Sequence, residues 1–170
     1  ECGIDLTEPP PWEVKRAPED QKRIFSRQIC IAKDRKKPVI VHSRKAVDET
    51  LSVIEHENYS DFVWHCFTED SEVAKRVIEI GGYISFTGII TYKNTEKIHE
   101  AIREVPLEKI FLETDCPYLT PDPYRKAGIK LNEPKYVKIN AGKIAEIRGI
   151  SLSEVERTTT ENAIKFFLFF

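Results

Sequence analysis

The feature that most constrains this chain is an alternation. Short, unbroken apolar runs are followed by longer stretches with helical spacing. Pro18 and the acidic pair Glu19–Asp20 open a helix expected to run to about Lys36. It carries Ile24, Gln28 and Ile31 on one stripe, with Phe25, Ile29 and Ala32 beside them. The segment "KPVIVHSR" (37–44) then supplies a β-branched run, Val39–Val41. A second helix follows, with Val47, Leu51 and Ile54 at spacings of four and three. "DFVWHCF" (61–67) reads as a strand. Ser71 is placed to cap a third helix with Val73, Val77 and Ile80 inward, ended by Gly81–Gly82. "YISF" (83–86) is a strand, and Thr95–Val105 is a helix stopped by Pro106. "KIFLE" (109–113) is the next strand. A loop from Pro117 to Pro134 leads to two or three terminal helices, the last marked by Gly149 and the capping box Ser151-x-x-Glu154.

Strand and helix in strict alternation imply βαβ units and a parallel sheet. The strands are continuous apolar runs, so burial on both faces is expected. A doubly wound sheet and a (β/α)8 TIM-type barrel both satisfy that pattern. With 170 residues there is material for one domain with a sizeable core.

In a parallel sheet the C-terminal strand ends share one rim, and ligand sites form there. The runs of this chain end in reactive side chains. Val39–Val41 stops at His42, Phe62–Trp64 stops at His65, and Phe111–Leu112 stops at Glu113 with Asp115 two residues on. Glu1 directly precedes "CGIDL". Taken alone, Asp115 in "IFLETDCPYL" (110–119) reads as a turn cap, and either histidine as a structural one. Together on one rim, two imidazoles and two or three carboxylates suit a divalent cation: magnesium, manganese or zinc. Such an ion polarises a phosphoryl or acyl oxygen and lowers the pKa of bound water. Glu113 is expected to orient its neighbours rather than bind metal. His56 and His99 lie in polar helical stretches and read as solvated.

The net charge of −2 gives no long-range pull on nucleic acid, so a polyanion must be held by a local basic patch or by metal. A helix-turn-helix signal, an aromatic platform and a basic stripe are all lacking, which argues against a pure nucleic-acid-binding module. No stretch has the length and hydrophobicity of a membrane span, and no signal-peptide pattern is present. Cys2, Cys30, Cys66 and Cys116 are widely spaced with no CxxC pair. That disfavours a zinc knuckle and a disulfide framework, and fits free thiols in a reducing cytoplasm. The sequence contains no Met and begins at what reads as a strand end. It is therefore expected to be a piece of a longer chain.

"PVIVHSRKAVDE" (38–49) and "AIREVPLEKIFLETDCPYL" (101–119) resemble two signature segments of the TatD-type metal-dependent deoxyribonucleases. "ECGID" (1–5), "HCF" (65–67), "GGYISFTG" (81–88), "NEPKYV" (132–137) and "TTENA" (159–163) match in the same order. The resemblance covers nearly the whole chain. It implies an amidohydrolase-type (β/α)8 barrel that hydrolyses DNA phosphodiester bonds with one or two divalent metals, the expected substrates being single-stranded ends cut by an exonuclease. By resemblance, Glu1 is a bridging carboxylate, and His42 and His65 are metal ligands. Asp115 is a ligand and the general base on the attacking water. Arg44 and Arg125 are phosphate contacts, a role that suits the planar guanidinium fork.

Three departures from the family pattern are visible. The first strand with its His-x-His pair is lacking, so about the last five strands with their helices are expected. Glu69 stands where a glycine is usual and is expected to crowd a phosphate. The loop "RKAGIKLNEP" (125–134) is long. Five strands of eight cannot close a barrel, so open edges and self-association through them are expected, with "FFLFF" (166–170) adding apolar surface. The alternatives to a deoxyribonuclease are an inactive fragment working only in an assembly and an amidohydrolase acting on a small molecule.

Overall fold

The computed structural model describes residues 1–167. Five strands form one sheet: β1 (Cys2–Asp5), β2 (Val39–Arg44), β3 (Phe62–Trp64), β4 (Tyr83–Phe86) and β5 (Ile110–Leu112). Every pairing is parallel, and the spatial order is the order of the chain. A doubly wound sheet reverses its strand order part-way. This one does not, which leaves the barrel type of winding. Among the described residues β1 and β5 are edges, each paired on one side.

Among the described residues, six α-helices complete the alternation: α1 (Pro18–Arg35), α2 (Val47–Glu57), α3 (Ser71–Glu79), α4 (Glu96–Glu104), α5 (Val137–Arg148) and α6 (Leu152–Phe167). α1 starts on Pro18, whose missing N–H costs nothing there, and ends where Lys36 turns left-handed. Its core stripe is Phe25 and Ile29, both at most 1% exposed, whereas Ile31 on the adjacent stripe is 51% exposed. Docking against β1 and α2 selects the first stripe. The cap of α3 is Asp70, whose carboxylate accepts from Val73 N at 3.0 Å, and Ser71 is the first helical residue. At α6, Glu154 N donates to Ser151 Oγ at 3.2 Å, which is the Ser151 half of the expected capping box.

Side chains alternate across each strand. One face presents Val41, Phe62, Trp64, Ile84, Phe86 and Ile110 to the helices, all at most 1% exposed. The opposite face carries Ile40, Val63, Ser85 and Phe111, which line a cavity of about 660 Å³ bounded by α5 and α6. Ile40 is 39% exposed there, so burial on both faces is incomplete at β2. Phe166 packs on Tyr83 and Phe111 with ring centroids 4.8 and 5.2 Å apart, which gives the start of the C-terminal aromatic run a place in the fold. Residues 168–170 of that run lie outside the described residues. His99 is not solvated: its Nε2 lies 2.7 Å from Ile90 O and 3.2 Å from Thr95 Oγ1.

Candidate metal centre

β1 reaches the rim because residue 3 is glycine. Gly3 sits opposite His42 with φ +152, and a Cβ there would lie 1.8 Å from His42 O. That approach brings Glu1 and Asp5 alongside His42, which is itself within the longer-than-expected β2. His42 Nε2 is 3.4 Å from Asp5 Oδ2, and its Nδ1 is 3.9 Å from Glu1 Oε1. Asp5, not singled out by the sequence, is fixed in turn by the Thr7 hydroxyl and N–H at 2.5 and 2.8 Å. Burial acts to raise the Asp5 pKa, but these two bonds and His42 outweigh it and hold the carboxyl low.

His65 follows β3 directly. Its Nδ1 is 2.6 Å from Glu113 Oε2, and its Nε2 is 3.2 Å from Glu1 Oε2 and 3.7 Å from Asp115 Oδ1. The chain then turns at Cys66 with φ 47, and Cys66 N donates to Glu113 Oε1 at 2.6 Å. The Ser85 hydroxyl donates to the same oxygen. Burial acts to lower the His65 pKa, but the Glu113 bond and the charges of Glu113, Glu1 and Asp115 override it and raise it. Burial likewise works to raise Glu113, and the His65, Ser85 and Cys66 bonds bring it down. Burial pushes the Cys66 thiol up to about 12. Asp115, in a left-handed conformation at φ 54, is raised by burial and by Glu113 and Glu1 against the pull of His65.

The two imidazoles are thus arranged alike. A carboxylate holds one nitrogen of each, and the other nitrogen faces Glu1. Carboxylate-backed histidines of this kind are the usual companions of a metal. Donors held at ~2.1 Å from one cation at right or tetrahedral angles lie ~3.0–3.4 Å apart. The 3.2 Å from His65 to Glu1 meets that, and the 3.7 and 3.9 Å separations need small adjustments. Two groups have donor atoms that all lie within 4.8 Å of one another: Glu1, His42 and His65, and His65, Cys66 and Asp115. The residues present therefore fit a divalent cation.

A cavity of about 530 Å³ opens beside them, lined by His42, Arg44, His65, Cys66, Asp115 and Tyr118 among others. Arg44 is exposed there, and no hydrogen bond or ion pair among the described residues holds its guanidinium. Arg125 is outside that lining. Its Nε is 3.1 Å from Asp122 Oδ1, and its guanidinium stacks 4.2 Å from the Tyr92 ring centre. Glu69 also stays out of the cavity lining and accepts from the Thr68 hydroxyl at 3.4 Å. Two buried asparagines set the loop after β5. Asn140 Nδ2 donates to Glu113 O at 2.8 Å, and Asn132 Nδ2 donates to Thr114 O and Tyr118 O at 2.6 Å each. Neither was given a role from the sequence, although Asn132 opens the matching segment "NEPKYV" and Asn140 falls four residues before Ile144 on the buried stripe of α5.

Comparison with known proteins bears on this centre. The family model described as TatD related DNase matches residues 1–168. The chain belongs to the TatD family. The protein named uncharacterized metal-dependent hydrolase YabD of Bacillus subtilis is 39% identical over 170 residues, covering 98% of this chain and 63% of that protein. Uncharacterized metal-dependent hydrolase YcfH of Escherichia coli is also 39% identical, over 98% of this chain and 61% of its own length. The crystal structure of YJJV, a TatD homologue from Escherichia coli, superposes with a TM-score of 0.87 at 26% identity, covering 99% of this chain and 62% of that one. This TatD-family chain therefore spans about three fifths of the length of the relatives it matches, and those relatives are named for metal dependence and hydrolysis.

Proposed function

We propose that this chain is a metal-dependent hydrolase of DNA phosphodiester bonds, an exonuclease acting on single-stranded ends. The observation that carries the reading is the convergence of His42 Nδ1 and His65 Nε2 on Glu1, each ring held from behind by its own carboxylate. The DNase description of the matching family model supports the choice of substrate. Glu1, His42, His65 and Asp115 would hold the cation, which is magnesium, manganese or zinc. When bound, the ion supplies positive charge that favours ionisation of water and offsets charge on phosphoryl oxygens.

Asp115 takes the proton of the attacking water, a task helped by its raised pKa. Arg44 presents its fork to the phosphate from the cavity wall. Arg125 would have to leave Asp122 and Tyr92 to do the same, so we assign the phosphate contact to Arg44. A cytoplasmic setting goes with the four free cysteines.

A second reading rests on the two sheet edges, β1 and β5. In it the chain hydrolyses only when another polypeptide, such as a second copy, covers those edges. One experiment separates the two. The 170-residue chain is incubated with end-labelled single-stranded DNA, with and without magnesium or manganese, beside Asp115→Asn, and its size is measured by sedimentation. Metal-dependent release by a monomer, lost in the variant, supports the first reading. Intact DNA under both metals overturns it for this chain alone, and activity confined to a larger species favours the second.

A further inference from the structure

Two groups of donor atoms share one residue. Glu1, His42 and His65 form the first, and His65, Cys66 and Asp115 form the second. The Nδ1 of His65 is engaged by Glu113 at 2.6 Å, so Nε2 is the nitrogen this ring can offer a metal. That nitrogen has a single lone pair and serves one cation at a time. We propose that His65, Cys66 and Asp115 form an alternative seat for a thiophilic cation such as zinc or cadmium, whose occupation excludes a cation from the first seat. The inference rests on reading the first group as a cation site.

The chemistry of the donors separates the seats. The first offers the Glu1 carboxylate and two imidazoles, with Asp115 beside His65 within reach of either cation, and oxygen and nitrogen donors accept hard and borderline ions alike. The second adds sulfur, which favours zinc and cadmium over magnesium and manganese. The thiol is placed for it. The left-handed turn at Cys66 follows His65 immediately, Cys66 is half-buried beside the cavity that Asp115 also lines, and its Sγ is 3.6 Å from Thr87 Oγ1. Coordination forms an Sγ–cation bond and breaks the S–H bond, with the proton leaving to solvent. Ideal sulfur–nitrogen separations around zinc are ~3.5 Å, so donors that lie within 4.8 Å close by about one ångström.

Cys30 and Cys116 lie at the surface or beside Glu57 and would add background, so the test uses a Cys30→Ser/Cys116→Ser chain. That chain is titrated with cadmium while ultraviolet thiolate-to-cadmium charge-transfer absorption is recorded, with calorimetry in parallel. The expected result is a saturable band at one equivalent that disappears in Cys66→Ser. Excess manganese should raise the cadmium needed for half-saturation several-fold. Circular dichroism verifies that Cys66→Ser is folded. A band that survives in Cys66→Ser, or one that manganese leaves unmoved, overturns the alternative seat. Cadmium binding without a band, lost in His42→Ala, also overturns it and leaves the first seat standing. Failure of both metals to bind removes the metal centre itself.

Discussion

Glu113 and His65 meet across β4: a carboxylate that follows β5 lies 2.6 Å from the imidazole that follows β3. The strand between them takes part, since the Ser85 hydroxyl on β4 donates to the same carboxylate. Cys66 N is the third donor. One side chain thus ties three consecutive strand ends into a fixed rim. It also decides the tautomer of His65, because a carboxylate facing Nδ1 keeps the proton there and leaves the Nε2 lone pair directed at Glu1 and Asp115.

Glu113→Gln tests that control. A glutamine has one acceptor oxygen, and Cys66 N and the Ser85 hydroxyl both require it. Its amide nitrogen is then left facing His65 Nδ1, which must give up its proton to Nε2. The lone pair meant for a cation disappears. Manganese affinity, measured by calorimetry, is expected to fall ~10–100-fold while the helical circular dichroism signal is retained.

Asn132→Ala should loosen the Asp115 loop without disturbing the sheet. The side chain, 4% exposed, donates to Thr114 O and Tyr118 O on either side of Asp115. Its loss leaves two carbonyls unpaired and is expected to cost about 1–3 kcal/mol in urea unfolding. Hydrogen exchange should rise at residues 114–118, and α1 and α2 should keep their protection.

The alternation of apolar runs and helical stripes carried most of the fold, because each run is short, β-branched and followed by its own helix. His42, His65, Glu113 and Asp115 were legible as candidates for the same reason: parallel strands deliver their ends to one rim, so a reactive residue after each run is a candidate site residue by position. What depends on register was hidden. Asp5 reaches His42 only because Gly3 lets β1 approach β2, and no local pattern reports that pairing. The choice of Phe25 over Ile31 on α1 is made by docking, since both stripes have helical spacing. Arg125 has a suitable side chain in a plausible loop, and its engagement by buried Asp122 and Tyr92 is a tertiary fact.

Gly3→Ala should be among the most damaging single changes in the chain. The added methyl would sit 1.8 Å from His42 O on backbone, which has no rotamer to move, and φ is +152. Overpacking and backbone strain together are expected to cost at least ~3 kcal/mol. The midpoint of urea unfolding measures it. A shift of less than a third of that size would mean that β1 can withdraw from β2.

The acid response should involve a carboxylate far from the rim. Glu57, at the end of α2, accepts from Ser26 Oγ at 2.6 Å and Cys30 Sγ at 3.3 Å on α1. The Ser26 and Cys30 bonds, in that order, hold its pKa below the ordinary glutamate range. A folded-state pKa below the unfolded one contributes stability above the unfolded value and loses it as pH falls through the folded value. Glu57→Gln should therefore be less stable than the parent at neutral pH, with the gap closing on acidification. Paired urea titrations at neutral pH and below the carboxylate range give the two gaps directly.

Arg44 and Arg125 should part company on substitution. Arg44 lines the cavity beside His42, His65 and Asp115, whereas Arg125 is engaged by Asp122 and the Tyr92 ring. A hydrogen bond to a charged group contributes roughly 1.5–3 kcal/mol, so Arg44→Ala should weaken binding of fluorescently labelled single-stranded DNA by about tenfold or more. Arg125→Ala should change that affinity little. It should instead lower the unfolding temperature, because Asp122 is 8% exposed and would keep Lys126 as its remaining cationic partner. Anisotropy titrations and thermal melts of the two variants, run side by side, separate the roles. Equal losses of DNA affinity would return Arg125 to the phosphate path and require the loop to release it from Asp122 when DNA binds.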